Sequence, residues 1–466
     1  MGQSGLWRTL GLLLVGTALS LWLFYPGCTV GDILYTWGDA QRGQVTDFQP
    51  PLLAILYRLF SAFPLQPDPP TASLFLLSTL VYWSGLLLVV QSFGGQGLYG
   101  LAGLVILGFF LPTFGILSQI LSDTLMSSFL VLAYGCLAWG EARGRPAGVI
   151  AGIISLGFAS LCKATGVIAA LPLALWAGRL LASHLHGWQP GGPRRLSALG
   201  LSLVVALGLV GGTWGVNRLL TQEPTYPSQQ LLAFDLTGIS AITGTVYLPD
   251  VFTDTQTPHR LPGFYVPKGR QLQTNPLMIQ NLRTLYEPHS SQKLYFYGPG
   301  KGLPFLDRPA EMQALRRAWL KGVTQAFPAY IQVRARMAWA LFAGRPWPPY
   351  YCLPNDNLVS GDVLNRALPQ VFVWLAATPL LQGWFYGLAI LGLLLISRGR
   401  PALQTGRYLS LGWSGLAYGV SLFFLAATAE FRHLYWLMFV TLLMGFEVLR
   451  LSTSPAMEAE NRQEPP

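Results

Sequence analysis

Apolar and polar positions along this chain fall into long blocks, not into the short periods of a half-buried helix or strand. Runs of about 20 mostly apolar residues, enough to cross roughly 30 Å of hydrocarbon, lie near 6–25, 71–91, 97–117, 121–140, 147–163, 166–183, 197–217, 381–397, 408–428 and 434–451. These ten runs predict an all-α polytopic membrane protein. The stretch PPLLAILYRLFSAF (50–63) is too short and too interrupted to cross. It reads as an interfacial helix with Arg58 reaching toward headgroups. The first run has little positive charge ahead of it and no clean small-x-small site after it, so it reads as a retained span.

The blocks also divide the chain. Residues 1–218 form an N-terminal transmembrane module with a first polar loop at 26–70. A long polar connection fills 219–380, the three C-terminal transmembrane runs occupy 381–451, and 452–466 is a polar tail that composition marks as disordered. The connection is too long for an idle loop. Within it, 309–342 reads as helical. Its first part is basic and amphipathic, suited to lie along a leaflet with Arg316, Arg317 and Lys321 near phosphates.

Composition sharpens the class. Of 466 residues, 52% are hydrophobic and 11% charged, where a soluble domain carries about 25% charged residues. The net charge of +10 sits in small groups between the runs and forms no patch, which argues against nucleic acid as a partner. With the N-terminus inside, the pairs Arg143/Arg145, Arg194/Arg195 and Arg398/Arg400 all face the cytoplasm, as the positive-inside rule requires. Both termini are then cytoplasmic. The four cysteines lack metal-type spacing. Cys136 and Cys162 fall in apolar runs, and Cys28 and Cys352 share the outer side, where a disulfide could form.

This orientation turns Asp32, Asp39, Asp47, Asp123, Lys163 and the group Glu430, Arg432 and His433 outward, beside the long connection. In GDILYTWGDAQRGQVTDFQPP (31–51), a helix over 32–43 would place Asp32 and Asp39 on one face, with Gly43 ending it. Asp47 either caps the helix that Pro50 and Pro51 start or does chemistry. Asp39 suits a solvated surface, and Asp32, nearest the first span, suits a functional site at headgroup depth. Asp123 either sits on a helix dipole or belongs to a site. Lys163 either snorkels or contacts an anion. Glu430 and Arg432 can pair, and Arg432 can also hold a phosphate through two nitrogens. No phosphate loop of the GxxxxGK[ST] type, HExxH motif or paired-Cys metal motif is present. A divalent metal ion is left open as a cofactor, because Asp32 and Asp39 could share one.

The pattern D-x(10)-G-x(3)-D-F-Q-P-P, from Asp32 to Pro51, resembles the first outer loop of GT-C type glycosyltransferases. These are multispan enzymes that take sugars from polyprenyl-phosphate carriers, including lipid A aminoarabinose transferases and protein O-mannosyltransferases. Looser echoes follow in order: LSDTLMSSFLVLAY (121–134), LCKATGVIAALPL (161–173), QQLLAFDLTGIS (229–240), AFPAYIQVRARMAW (326–339) and EFRHLYWL (430–437). The resemblance implies a GT-C-like bundle in a bacterial inner (plasma) membrane. It further implies a polyprenyl-phosphate-linked sugar donor and a lipid, glycan or protein acceptor. Asp32 and Asp47 match catalytic-loop acids, and Arg432 matches a basic residue near the carrier phosphate. Asp39, Asp123, Lys163 and His433 fall to substrate binding. Gln49 stands where relatives often carry histidine, a departure at a substrate-binding position.

Chemistry independent of the resemblance agrees with one acid. A phosphate leaving group is already a stable anion and needs no acid, so a single carboxylate can serve as base while cations hold the phosphate. The readings in competition are a lipid-linked oligosaccharide ligase and a non-catalytic transporter or lipid-binding membrane protein.

Overall fold

Large apolar side chains such as Leu14, Val204, Leu207 and Leu388 face outward on the helices of this chain, as lipid-facing residues do. The computed structural model describes residues 3–28, 31–62, 71–92, 98–186, 194–253, 278–295, 302–344, 367 and 370–452. Its elements are α1 (Gln3–Phe24), α2 (Gly31–Arg42), α3 (Pro51–Ser61), α4 (Thr71–Ser92), α5 (Leu98–Gly108), α6 (Leu111–Leu117), α7 (Ser122–Arg143), α8 (Pro146–Cys162) and α9 (Ala164–His186). They continue with α10 (Arg194–Leu220), α11 (Ser228–Thr243), α12 (Ile279–Leu285), α13 (Gln292–Tyr295), α14 (Pro309–Gln325), α15 (Phe327–Phe342), α16 (Gly383–Arg398), α17 (Gly406–Leu425) and α18 (Tyr435–Ser452). A single 3-10 turn, Phe431–Leu434, leads into α18.

Among the described residues, six helical segments are long and apolar enough to cross a membrane: Thr71–Ser92, Ser122–Arg143, Ala164–Leu185, Ser197–Leu220, Gly406–Leu425 and Phe431–Leu449. The protein is therefore an all-α, membrane-embedded chain. Four other apolar helical segments are shorter: Gly11–Phe24, Pro51–Ser61, Pro146–Cys162 and Gly383–Arg398. One expected crossing differs in kind. The run 97–117 is split into α5 and α6, with Phe110 extended between them. Pro112 explains the break, because its ring would strike the carbonyl four residues back if one helix ran through. The carbonyls thus freed are not left bare. Tyr82 of α4, fully buried, donates its hydroxyl to Leu107 O at 3.1 Å and Gly108 O at 2.9 Å. The stretch 309–342 is likewise two helices, and Pro328 sits in the first turn of the second.

Close packing around α7 sets the bundle. It lies between α4 and α8, while α9 packs on α10 and α17. The α4–α7 contact is made at Gly85, where a Cβ would stand 2.6 Å from the Leu132 amide nitrogen. Small residues at such crossings let backbones approach where no hydrophobic drive distinguishes helix from lipid. On the other side of the core, Trp83 of α4 donates to Ser20 of α1 at 3.0 Å.

The polar connections are stitched to one another through the main chain. Cys28 N donates to Ser118 O at 2.8 Å. Gln222 N donates to Val45 O at 2.8 Å, and Val45 N to the Gln222 side chain at 3.1 Å. Ser291 N reaches Ala427 O and Ala429 N reaches His289 O, both at 2.8 Å. Loops from four parts of the chain are thereby fixed at one end of the bundle. Cys28 is disulfide-bonded, Cys136 and Cys162 are free and buried, and Cys352 and the tail 453–466 lie outside the described residues.

Candidate functional site

The segment that follows α1 folds as its sequence predicts. Gly31–Arg42 is helical, and Gly43, at φ +68°, takes the left-handed conformation that ends it. Asp32 occupies the first turn of α2. Asp123 occupies the first turn of α7 and is buried. Lys163 stands in extended backbone where α8 stops and α9 begins. Arg432 and His433 lie on the 3-10 turn that leads into α18. These four places are far apart in sequence, and the fold brings their side chains into contact.

Arg432 is the centre of the group. Its Nη1 donates to Asp32 Oδ2 at 2.6 Å, and its Nε lies 2.6 Å from Glu430 Oε2 and 4.0 Å from Asp123 Oδ2. The Lys163 ammonium pairs directly with Asp123 Oδ1, so Lys163 turns inward and does not snorkel. His433 closes the arrangement: Nδ1 is 3.2 Å from Lys163 Nζ and 3.4 Å from Asp123 Oδ1, and Nε2 is 3.2 Å from Thr428 Oγ1. With Nδ1 accepting from the ammonium, the remaining ring hydrogen on Nε2 points to Thr428. Three carboxylates thus face two fixed cations at the end of the bundle where α7 and α18 begin.

Among the described residues, Asp39 and Asp47 make their hydrogen bonds outside this group, and Gln49 forms none with it. Asp39 accepts from Arg42 Nη2 and Thr46 Oγ1, both at 2.6 Å, and from Thr46 N at 3.3 Å. Burial pushes its carboxyl above the usual carboxylate range, against the pull of the Thr46 and Arg42 contacts. Asp39 is buried, not a solvated surface acid. Asp32 and Asp39 each hold a different arginine, Arg432 for the first and Arg42 for the second. Among the described residues, no group of three or more His, Cys, Asp or Glu is placed to hold a metal ion.

Asp47 does not cap α3. The cap position is Pro50, with no side-chain bond, and Asp47 instead accepts from Thr225 Oγ1 at 2.8 Å and from Thr225 N. Three residues of chain separate Asp47 from Pro51, and the parallel bridge between Thr46 and Glu223 turns the carboxylate toward the other strand. These bonds tie the first loop to the start of the long connection. Gln49 remains half-buried on the approach to α3.

A second charged pair was not singled out from sequence. Asp235 of α11 and Arg334 of α15 are both fully buried and form an ion pair. Trp319 Nε1 donates to Asp235 Oδ2 at 2.9 Å, and Arg334 Nη1 donates to Ala426 O at 2.9 Å, where α17 ends. The guanidinium also stands 5.8 Å from the Phe234 ring centroid and 5.9 Å from that of Tyr330. A lone acid in QQLLAFDLTGIS and the two arginines of AFPAYIQVRARMAW were the available signals, since charge inside apolar helices demands a partner.

No protein-family model, curated protein or solved structure matches this chain.

Proposed function

We propose that the chain is a membrane glycosyltransferase of the GT-C type, moving a sugar from a polyprenyl-phosphate carrier to a lipid, glycan or protein acceptor. In this reading, α1, α5 with α6, α8 and α16 complete a bundle of ten spans around the six longer segments. The membrane is a bacterial inner membrane, both termini are cytoplasmic, and the site opens on the periplasmic face. The observation that supports the reading is the pairing of Arg432 with Asp32 beside Asp123, Lys163 and His433: one partly exposed carboxylate next to two fixed cations.

The chemistry assigned to these groups balances simply. Asp32 takes the proton of the acceptor hydroxyl as its oxygen bonds to the anomeric carbon from the face opposite the phosphate. The anomeric carbon–oxygen bond to phosphate breaks, its electron pair leaves with the phosphate, and configuration inverts. Arg432, Lys163 and His433 hold the departing anion, which needs no proton of its own. Asp47 takes the tethering role described above and has no step in the reaction.

The test begins with mass spectrometry of lipids retained by the purified protein. Polyprenyl phosphate is the expected ligand, and a diphosphate carrier would instead favour a lipid-linked oligosaccharide ligase. Incubation with labelled polyprenyl-phosphate sugars and a panel of acceptors should then give transfer. Binding with no turnover on any acceptor would favour a lipid-binding protein.

A further inference from the structure

Each fixed cation in the cluster already has a carboxylate partner: Lys163 has Asp123, and Arg432 has Asp32 and Glu430. A phosphate arriving here meets more negative than positive charge. It can bind only if one carboxylate gives way.

The three acids are not equally ready to do so. The Asp123 side chain is 2% exposed and is held by Lys163 with His433 beside it, and that of Glu430 is 21% exposed. The Asp32 side chain is 36% exposed and sits in the first turn of α2. Released from Arg432, it would return to water with little desolvation to undo and would still lie in the favourable field of a helix N-terminus. The two partners also occupy different edges of the guanidinium. Asp32 takes Nη1, and Glu430 lies against Nε from the residue two before Arg432.

We propose that Glu430 is a positioning residue that fixes the Nε edge of Arg432, while Asp32 is the carboxylate that an incoming phosphate displaces from the Nη edge. The base is then released only when the phosphate is in place, which makes donor binding precede acceptor activation. This inference rests on the glycosyl-transfer reading of the same site. It adds that Asp32 competes with the phosphate, and that Glu430 orients the arginine for the exchange.

The test is equilibrium binding of polyprenyl monophosphate, carrying no sugar, to the full-length protein in detergent, with the free polyprenol as control. Wild type should bind the phosphate and not the alcohol. Asp32→Asn should bind it more tightly, by about tenfold, because a unit of competing charge within contact distance is gone. Glu430→Gln should also bind more tightly than wild type, since it keeps a side chain of the same size against the Nε edge while losing charge. Glu430→Ala should bind more weakly than Glu430→Gln, because the arginine loses its support.

A residue that merely held the structure would weaken binding when replaced, so the sign of the change is decisive. Unchanged or weaker binding by Asp32→Asn, in protein that melts like wild type, overturns the exchange. Equal binding by Glu430→Ala and Glu430→Gln overturns the positioning role. If wild type binds phosphate and alcohol alike, the glycosyl-transfer reading fails before any variant is compared.

Discussion

Arg432 and Asp32 stand 400 residues apart in the chain and 2.6 Å apart in space. Their contact joins the loop after the first apolar helix to the turn before the last one. It is partly exposed, and exposed ion pairs contribute little to folding, about 0–1 kcal/mol. Asp32→Asn should therefore leave the melting temperature close to wild type, while the proposed sugar transfer is abolished. A large loss of stability, or retained full activity, would each contradict the assignment of Asp32 as the base.

The buried pair behaves in the opposite way. Removing one partner of Asp235 and Arg334 strands a charge in a dry site, at a cost of about 3–5 kcal/mol. Asp235→Asn or Arg334→Met alone should lower the unfolding transition strongly, and the double variant should recover much of the loss. A double-mutant cycle by thermal unfolding in detergent reads the coupling directly.

At the α5–α6 break, Tyr82→Phe deletes the hydroxyl that serves two freed carbonyls. Leaving a buried acceptor without a donor costs about 1–3 kcal/mol. The expected result is a lower melting temperature with the fold retained. Hydrogen exchange should show loosening confined to 98–117.

Asp47→Ala should release the first loop from Thr225 and speed proteolysis of the 43–50 and 221–227 segments. Asp47→Asn, which keeps an acceptor for the Thr225 amide, should be milder. A loss of transfer in Asp47→Asn as deep as that in Asp32→Asn would return Asp47 to the chemistry.

Asp39 gives a pH signature. Its folded-state carboxyl is raised above its ordinary value by burial, so its contribution to stability is full at low pH and is lost as pH rises from about 4 upward. Asp39→Asn does not titrate. Melting curves of the two proteins should therefore show the variant gaining on wild type between pH 4 and pH 7, and a gap moving the other way would reverse the sign of the shift.

How far the sequence could be read depends on the range of the forces involved. Local signals worked: Gly43 ended α2 where a residue free to take positive φ was available, and the apolar blocks located the helices within a few residues. Hydropathy could not see the α5–α6 break, because Pro112 acts on backbone geometry without changing the apolar character of the run. The capping alternative for Asp47 rested on its nearness to Pro50, yet its partner Thr225 lies 178 residues away. Asp235 and Arg334 escaped for the same reason. Neither shows its partner until α11 and α15 meet. Orientation arguments did gather Asp32, Asp123, Lys163, Arg432 and His433 into one group, but not Thr428 or the main-chain bonds that hold their loops.

The ion pairs of that group impose an order on synthesis. Asp123 meets Lys163 as soon as α7 and α8 have left the ribosome, whereas Asp32 must wait for nearly the whole polypeptide before Arg432 is made. A chain halted anywhere before residue 432 would carry the early carboxylates with no guanidinium to receive them, so the Asp32–Arg432 pair can close only near the end of translation.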